Sequence, residues 1–118
     1  MVGAATSFDT TGSASILLGN GDGTFAQAHV FPLGRQPTAV AIGDLNADHK
    51  PDLAVAVSGG VSVLLGNGAG AFLRVMTLSA GNQPSTIGLA DFNGDGLLDI
   101  AVGNQGSSFV NVLLNRAY

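Results

Sequence analysis

Residues in this chain recur at a fixed interval of 47 positions. Leu17-Leu18-Gly19-Asn20-Gly21 returns as Leu64-Leu65-Gly66-Asn67-Gly68, Phe25 as Phe72, Gly34 as Gly81, and Gln36-Pro37 as Gln83-Pro84. Asp44, Asn46, Asp48 and Asp52 return without a gap as Asp91, Asn93, Asp95 and Asp99. A third, partial copy opens at Val110-Asn111-Val112-Leu113-Leu114-Asn115, two residues late. A repeat of this length is one supersecondary unit that buries its apolar faces only by stacking on its neighbours. Residues 1–118 therefore read as a single domain, with units at about 15–60 and 61–109 and a partial third over 110–118.

Each unit predicts four short strands, because apolar runs rich in Val, Ile and Leu are bounded by Gly and Asn. The first strand is expected at Thr38–Gly43 and Ser85–Ala90, and the second at Leu53–Val57 and Leu98–Gly103. The third is expected at Val61–Leu65, Phe109–Leu114 and, earlier, Ser15–Leu18; the fourth at Phe72–Leu78 and Phe25–Phe31. Val2–Thr6 brings the total to ten. Asn20-Gly21-Asp22-Gly23 and Asn67-Gly68-Ala69-Gly70 supply the positive φ angles of hairpin turns, which gives Asp22 a turn role. A four-stranded antiparallel unit repeated at this length is the pattern of a propeller blade. The fold class is thus all-β, with about two and a half blades per chain. The nearly apolar first and second strands are expected to be buried on both faces.

The loop between first and second strands carries the chemistry. In Asp91-Phe92-Asn93-Gly94-Asp95-Gly96-Leu97-Leu98-Asp99, oxygen-bearing side chains stand at 91, 93, 95 and 99 around two glycines. Alternate side chains on a tight loop converge, and a hard cation such as Ca2+ takes six to eight oxygens at about 2.3–2.6 Å. The Leu97 carbonyl fills the gap before Asp99. Converging carboxylates repel one another unless something pairs with them, and only Arg35, Lys50, Arg74 and Arg116 are available as basic residues. Asp, Asn and Gly are also ordinary turn residues; Asp99, an acid at the mouth of an apolar run, is what a plain turn does not need. The loop opens like an EF-hand, but Val102 stands where that motif needs its Glu, and the flanks are strand-like.

On these residues the chain resembles FG-GAP repeats, also called VCBS repeats, the blades of integrin-type β-propellers. Asp91 to Gly103 carries the family's pattern in full, and Asp44 to Ala56 carries its ligand positions, with Ala47 and His49 in place of the two glycines and Lys50 in place of Leu97. The resemblance covers roughly residues 13–115. It implies two Ca2+ ions per chain, one held by Asp44, Asn46, Asp48, Asp52 and the Lys50 carbonyl, the other by Asp91, Asn93, Asp95, Asp99 and the Leu97 carbonyl. The weaker site is expected at Asp44, since His49 would take a positive φ less readily than Gly96. The resemblance also implies an extracellular or cell-surface protein that binds a carbohydrate or protein ligand. Alternatives are a purely structural, self-assembling propeller fragment or part of a Ca2+-dependent polysaccharide-active enzyme.

All eight acids are Asp, six of them in the two loops, and two divalent ions would neutralise the formal charge of −4. That balance leaves no basic surface for nucleic acid. No apolar run reaches the roughly 20 residues of a membrane helix, and residues 1–10 lack the pattern of a signal peptide. His29 and His49 have no Cys or evident Ser–Asp partner, so an enzyme is not expected. Arg35-Gln36, Asn82-Gln83 and Asn104-Gln105 are polar candidates for a binding rim. The N-terminal unit lacks a first strand and the C-terminal unit a fourth. A homo-oligomeric ring is therefore expected, in which residues 25–31 of one chain complete the sheet ending at 109–114 of the next, three chains giving six blades; the alternative is that the blades close as part of a longer single-chain propeller.

Overall fold

The computed structural model describes residues 2–5, 12–27, 29–33, 35–69, 71–81, 83–105 and 110–115. Among these residues ten strands form in the predicted order: β1 (Val2–Ala5), β2 (Ser13–Leu18), β3 (His29–Pro32), β4 (Pro37–Gly43), β5 (Asp52–Val57), β6 (Gly60–Gly66), β7 (Phe72–Ser79), β8 (Pro84–Ala90), β9 (Asp99–Asn104) and β10 (Val110–Leu113). They make three antiparallel sheets, β1-β2-β3, β4-β5-β6-β7 and β8-β9-β10, each in chain order. Among the described residues no helix is long and apolar enough to cross a membrane.

The repeat extends to backbone register. β4–β5 is irregular between Pro37 and Ala39, and β8–β9 between Pro84 and Thr86, at the same step of the repeat. At the far end of the sheets, Ser58 N–H donates to the Gln36 carbonyl and Gln105 N–H to the Gln83 carbonyl. The rim candidates Gln36 and Gln83 thus tie turns together through their backbones. Asn104 donates to Asn111 at 3.0 Å, and its Oδ1 is packed where a side chain at Gly81 would stand. Asn82 lies outside the described residues.

Several strand bounds shift from those expected, and two of the shifts have a local cause. Among the described residues the fourth strand of the first sheet is regular only over His29–Pro32, with Phe25 joined to Gly19 by an isolated bridge. Ala26 stands where β7 has Leu73, and Ala is depleted in strands. β9 begins at Asp99 because Leu98 still belongs to the loop. The expected start of β10, Phe109, lies outside the described residues, as does Thr6.

Packing between sheets puts the core on β5, whose every residue is buried. Leu53, Val55 and Val57 face the first sheet and pack with Leu33, Leu64 and the partly buried Phe31, Val40 and Phe72. Ala54 faces the third sheet, in a cluster with Val61, Val63, Ile100 and Val102. Period-two alternation on a strand covered on both sides explains an apolar run without polar interruptions. Not β4 and β8 but β5 and β6 have this double cover. β4 and β8 are partly exposed: Thr86 and Gly88 lie on the face of the third sheet turned away from the middle sheet, and Ile42, on the face it shares with Leu53, is 40% exposed.

Candidate metal centres

β4 ends at Gly43 and β5 begins at Asp52, so Asp44 to Pro51 must reverse the chain within one sheet. Asp44 drives the reversal. Its Oδ1 accepts the Asp48 N–H at 3.2 Å and its Oδ2 the His49 N–H at 2.8 Å, curling the loop around its own side chain. Asp48 Oδ1 accepts the Lys50 N–H at 2.9 Å. Asp52 is fully buried, yet both its oxygens are satisfied, Oδ2 by Leu45 N–H at 2.8 Å and Oδ1 by Gly66 N–H at 2.9 Å. A buried carboxylate is tolerable only when such donors replace its lost water.

The second loop repeats this network. Asp91 Oδ1 accepts from Gly94 and Asp95 N–H, and Oδ2 from Gly96 N–H at 2.8 Å. Asp95 Oδ1 accepts from Leu97 N–H at 3.0 Å. The buried Asp99 accepts Phe92 N–H on Oδ2 at 2.9 Å and Asn115 N–H on Oδ1 at 2.8 Å. These bonds fix the carboxylates' direction while leaving each oxygen with lone-pair capacity for a further partner.

Three carboxylates meet in each loop. One oxygen each from Asp44, Asp48 and Asp52 lie within 4.8 Å of one another, as do those from Asp91, Asp95 and Asp99. The inward end of the Asn46 amide stands 2.8 Å from Asp48 Oδ1, 3.1 Å from Asp44 Oδ1 and 3.2 Å from Asp52 Oδ2. With nitrogen inward, the amide donates to all three carboxylates. With oxygen inward, four oxygens face one another, an arrangement that is stable only around a cation. Neighbouring ligands about 3 Å apart are what Ca–O distances of about 2.3–2.6 Å produce. In both orientations the groups able to ligate a metal are oxygens, the three carboxylates with or without the Asn46 carbonyl, which suits Ca2+ or Mg2+ and not a thiolate- or imidazole-seeking metal.

The local field favours ionised carboxylates. Desolvation pulls the Asp44 carboxyl up, but the amides of His49, Asp48, Ala47 and Asn46 together hold it below its ordinary value near 3.8. The Gly96 amide does most to hold Asp91 below that value, aided by Gly94 and Asp95 and opposed by desolvation. Asp22, in the hairpin, accepts instead from the backbone and hydroxyl of Thr24, which keeps it in a turn role.

Residues 2–55 and 44–102 each match the FG-GAP-like repeat family. The chain belongs to that family. Neither the curated proteins nor the solved structures yield a significant match to it. The two FG-GAP matches meet at the first acidic loop, so each takes in at least one loop of the kind described above. Of the ligand positions expected from sequence, the six aspartates come together as two triads, and Asn46 joins the first. Asn93 is exposed on the second loop. Lys50 and Leu97 hold equivalent places, each donating its N–H to the central Asp of its loop. His29 and His49 are both exposed. Sequence reasoning missed the donors to the buried acids: Leu45, Gly66, Phe92 and Asn115. The two-residue offset of the third copy would have revealed the last, because it places Asn115 at the step of Gly66.

Proposed function

We propose that this FG-GAP chain is a Ca2+-pinned segment of a β-propeller, extracellular, whose ions lock the turn between first and second strands. The observation that carries this is the inward set of three carboxylates, built twice at the same step of the repeat, with the Asn46 amide 2.8–3.2 Å from the carboxylates of the first. The Lys50 and Leu97 carbonyls would complete each donor set. When bound, the cation supplies the positive charge that gathered carboxylates otherwise lack; the chain's own amides hold those carboxylates in place beforehand. Even sites with dissociation constants of about 10⁻⁴–10⁻³ M fill at extracellular Ca2+ levels. The pinned loops then serve as a rigid scaffold from which a carbohydrate or protein ligand is bound. Calorimetric titration with Ca2+, repeated on Asp48→Ala and Asp95→Ala, tests the reading. Two binding events are expected in the parent chain and one in each variant; heat changes unaltered by both substitutions would overturn it.

A second reading, assembly with further copies, is favoured by one groove. A cleft of about 500 Å³ lies between β10 and the β6–β7 pair, lined by Leu65, Met76, Leu78, Ile100 and Leu113. Leu78 is the repeat counterpart of Phe31, which packs edge-on against Phe72 with ring centres 5.7 Å apart. The cleft is thus the place where a fourth strand's aromatic would sit beside β10. Phe25 is the first-unit counterpart of Phe72 and is 58% exposed. A second copy could seat it there only by releasing β3 from β2, to which it is already bonded, so closure would proceed by strand exchange. Light scattering tests this: a trimer or tetramer that Leu113→Glu dissociates is expected, and a parent chain monodisperse at 11.7 kDa removes it.

A further inference from the structure

Asn115 stands outside both acidic loops but touches each of them. Its backbone N–H donates to Asp99 Oδ1 at 2.8 Å. Its side-chain nitrogen donates to the Leu98 carbonyl at 3.1 Å, at the end of the second loop. The same nitrogen donates to the Leu45 carbonyl, at the start of the first loop. Leu45 in turn gives its N–H to Asp52 Oδ2. The innermost carboxylate of each loop is therefore positioned by a bonded path that runs through one residue.

The middle sheet provides an internal control. Gly66 occupies the step of Asn115 and gives the same backbone bond, to Asp52 Oδ1 at 2.9 Å. A side chain there would collide with the Pro51 carbonyl, since a Cβ would lie 2.2 Å from it. Leu98 is the repeat counterpart of Pro51. In the third sheet the side chain is accommodated, and it turns that collision into a hydrogen bond while also reaching the neighbouring sheet. Gly66 fixes one loop; Asn115 fixes two.

We propose that Asn115 couples the two metal centres, so that filling either loop raises the affinity of the other. This rests on the Ca2+ reading of the loops. Ordering one loop around a cation fixes its end of the path, the Leu45 carbonyl or the Leu98 carbonyl. The second ion then meets a partner loop that has already lost part of its conformational freedom, which is positive coupling without a large structural change. Reciprocity follows, because each ion must help the other by the same factor. Asn115 is a positioning residue here, acting through Asp99, Leu98 and Leu45.

The test is a double-mutant cycle read by Ca2+ calorimetry on the full chain. Asp48→Ala silences the first loop, and the affinity of the second is measured with Asn115 intact and with Asn115→Gly. With Asn115 present, silencing the first loop is expected to weaken the second about fivefold, the lower end of typical coupling. In the Asn115→Gly background the same silencing is expected to change it less than twofold. Asn115→Ala provides the same comparison without added backbone freedom, and circular dichroism checks that every variant keeps its β spectrum. Equal weakening in both backgrounds, or none in either, overturns the coupling while leaving two Ca2+ sites standing. No Ca2+ binding by the parent chain would remove the metal reading itself.

Discussion

The two acidic loops reach one geometry from different residues. At the third and fifth steps after the leading Asp, the second loop has Gly94 and Gly96 at φ of 74° and 85°. The first has Ala47 and His49, at φ of 61° and 64°. A left-handed conformation costs an L-residue with a Cβ about 1–2 kcal/mol. The first loop accepts that strain because Asp44 and Asp52 hold it with the same carboxylate-to-amide bonds that Asp91 and Asp99 make. Its setting also differs. Leu45 is 7% exposed in the cluster shared by the middle and third sheets, whereas Phe92, its counterpart, is 52% exposed. Carboxylate placement therefore sets the loop's shape. Glycine only makes that shape easier to hold.

Removing a buried anchor is the severest way to break the equivalence. Asp52→Ala strips acceptors from Leu45 and Gly66 N–H inside the middle sheet and is expected to destabilise the chain by about 3 kcal/mol, from unsatisfied buried amides. Asp99→Ala should do less, since its sheet has three strands and its partners are less enclosed. Urea denaturation in chelator compares them; equal losses would mean that the sheet's completeness does not matter.

Cation removal acts on both loops together. With Ca2+ at about 100 times the dissociation constant, each site contributes about 2.7 kcal/mol by mass action. Chelator is therefore expected to lower Tm by several degrees in the parent chain and by about half as much in Asp95→Ala, as differential scanning calorimetry would record. A Tm indifferent to chelator would contradict the metal reading.

Backbone strain comes next. His49→Gly is expected to stabilise the chain by about 1 kcal/mol by relieving a left-handed residue, while Gly96→Ala should destabilise it by a similar amount. Thermal melts of the pair should move in opposite directions. His49→Gly should also tighten Ca2+ at the first loop, bringing the two sites closer in affinity.

The smallest effect is in pH. Asp44 and Asp91 have folded-state pKa values below 3.8, so each contributes stability that is fully present above its unfolded value and is lost as pH falls through its depressed folded value. In chelator, Tm is expected to hold nearly level down to the ordinary carboxylate range and then decline. Asp44→Asn and Asp91→Asn should flatten that acid decline. If either left the slope unchanged, its backbone bonds would not be supporting the loop.

Much of the site was legible because it is local. The spacing of Asp44, Asn46, Asp48 and Asp52 is enough to predict convergence, since a short loop leaves alternate side chains few other directions. The positive φ at His49 was also readable, from the place where the repeat puts Gly96. The donors to the buried acids were harder to see: Gly66 is 14 residues from Asp52 and Asn115 is 16 from Asp99. The burial of β4 and β8 on both faces was misjudged for a related reason, because apolar composition does not say which faces have a neighbouring sheet.

The sequence by itself determined the period, the strand order, the family and the two triads, all set by side-chain alternation and loop length within one unit. Tertiary structure alone decided that β6 rather than β4 shares the double cover of β5, that a groove opens beside β10, and that Asn115 spans both loops. Those features depend on how one sheet is rotated and stacked against the next, and residues 70 positions apart become neighbours only once that stacking is complete.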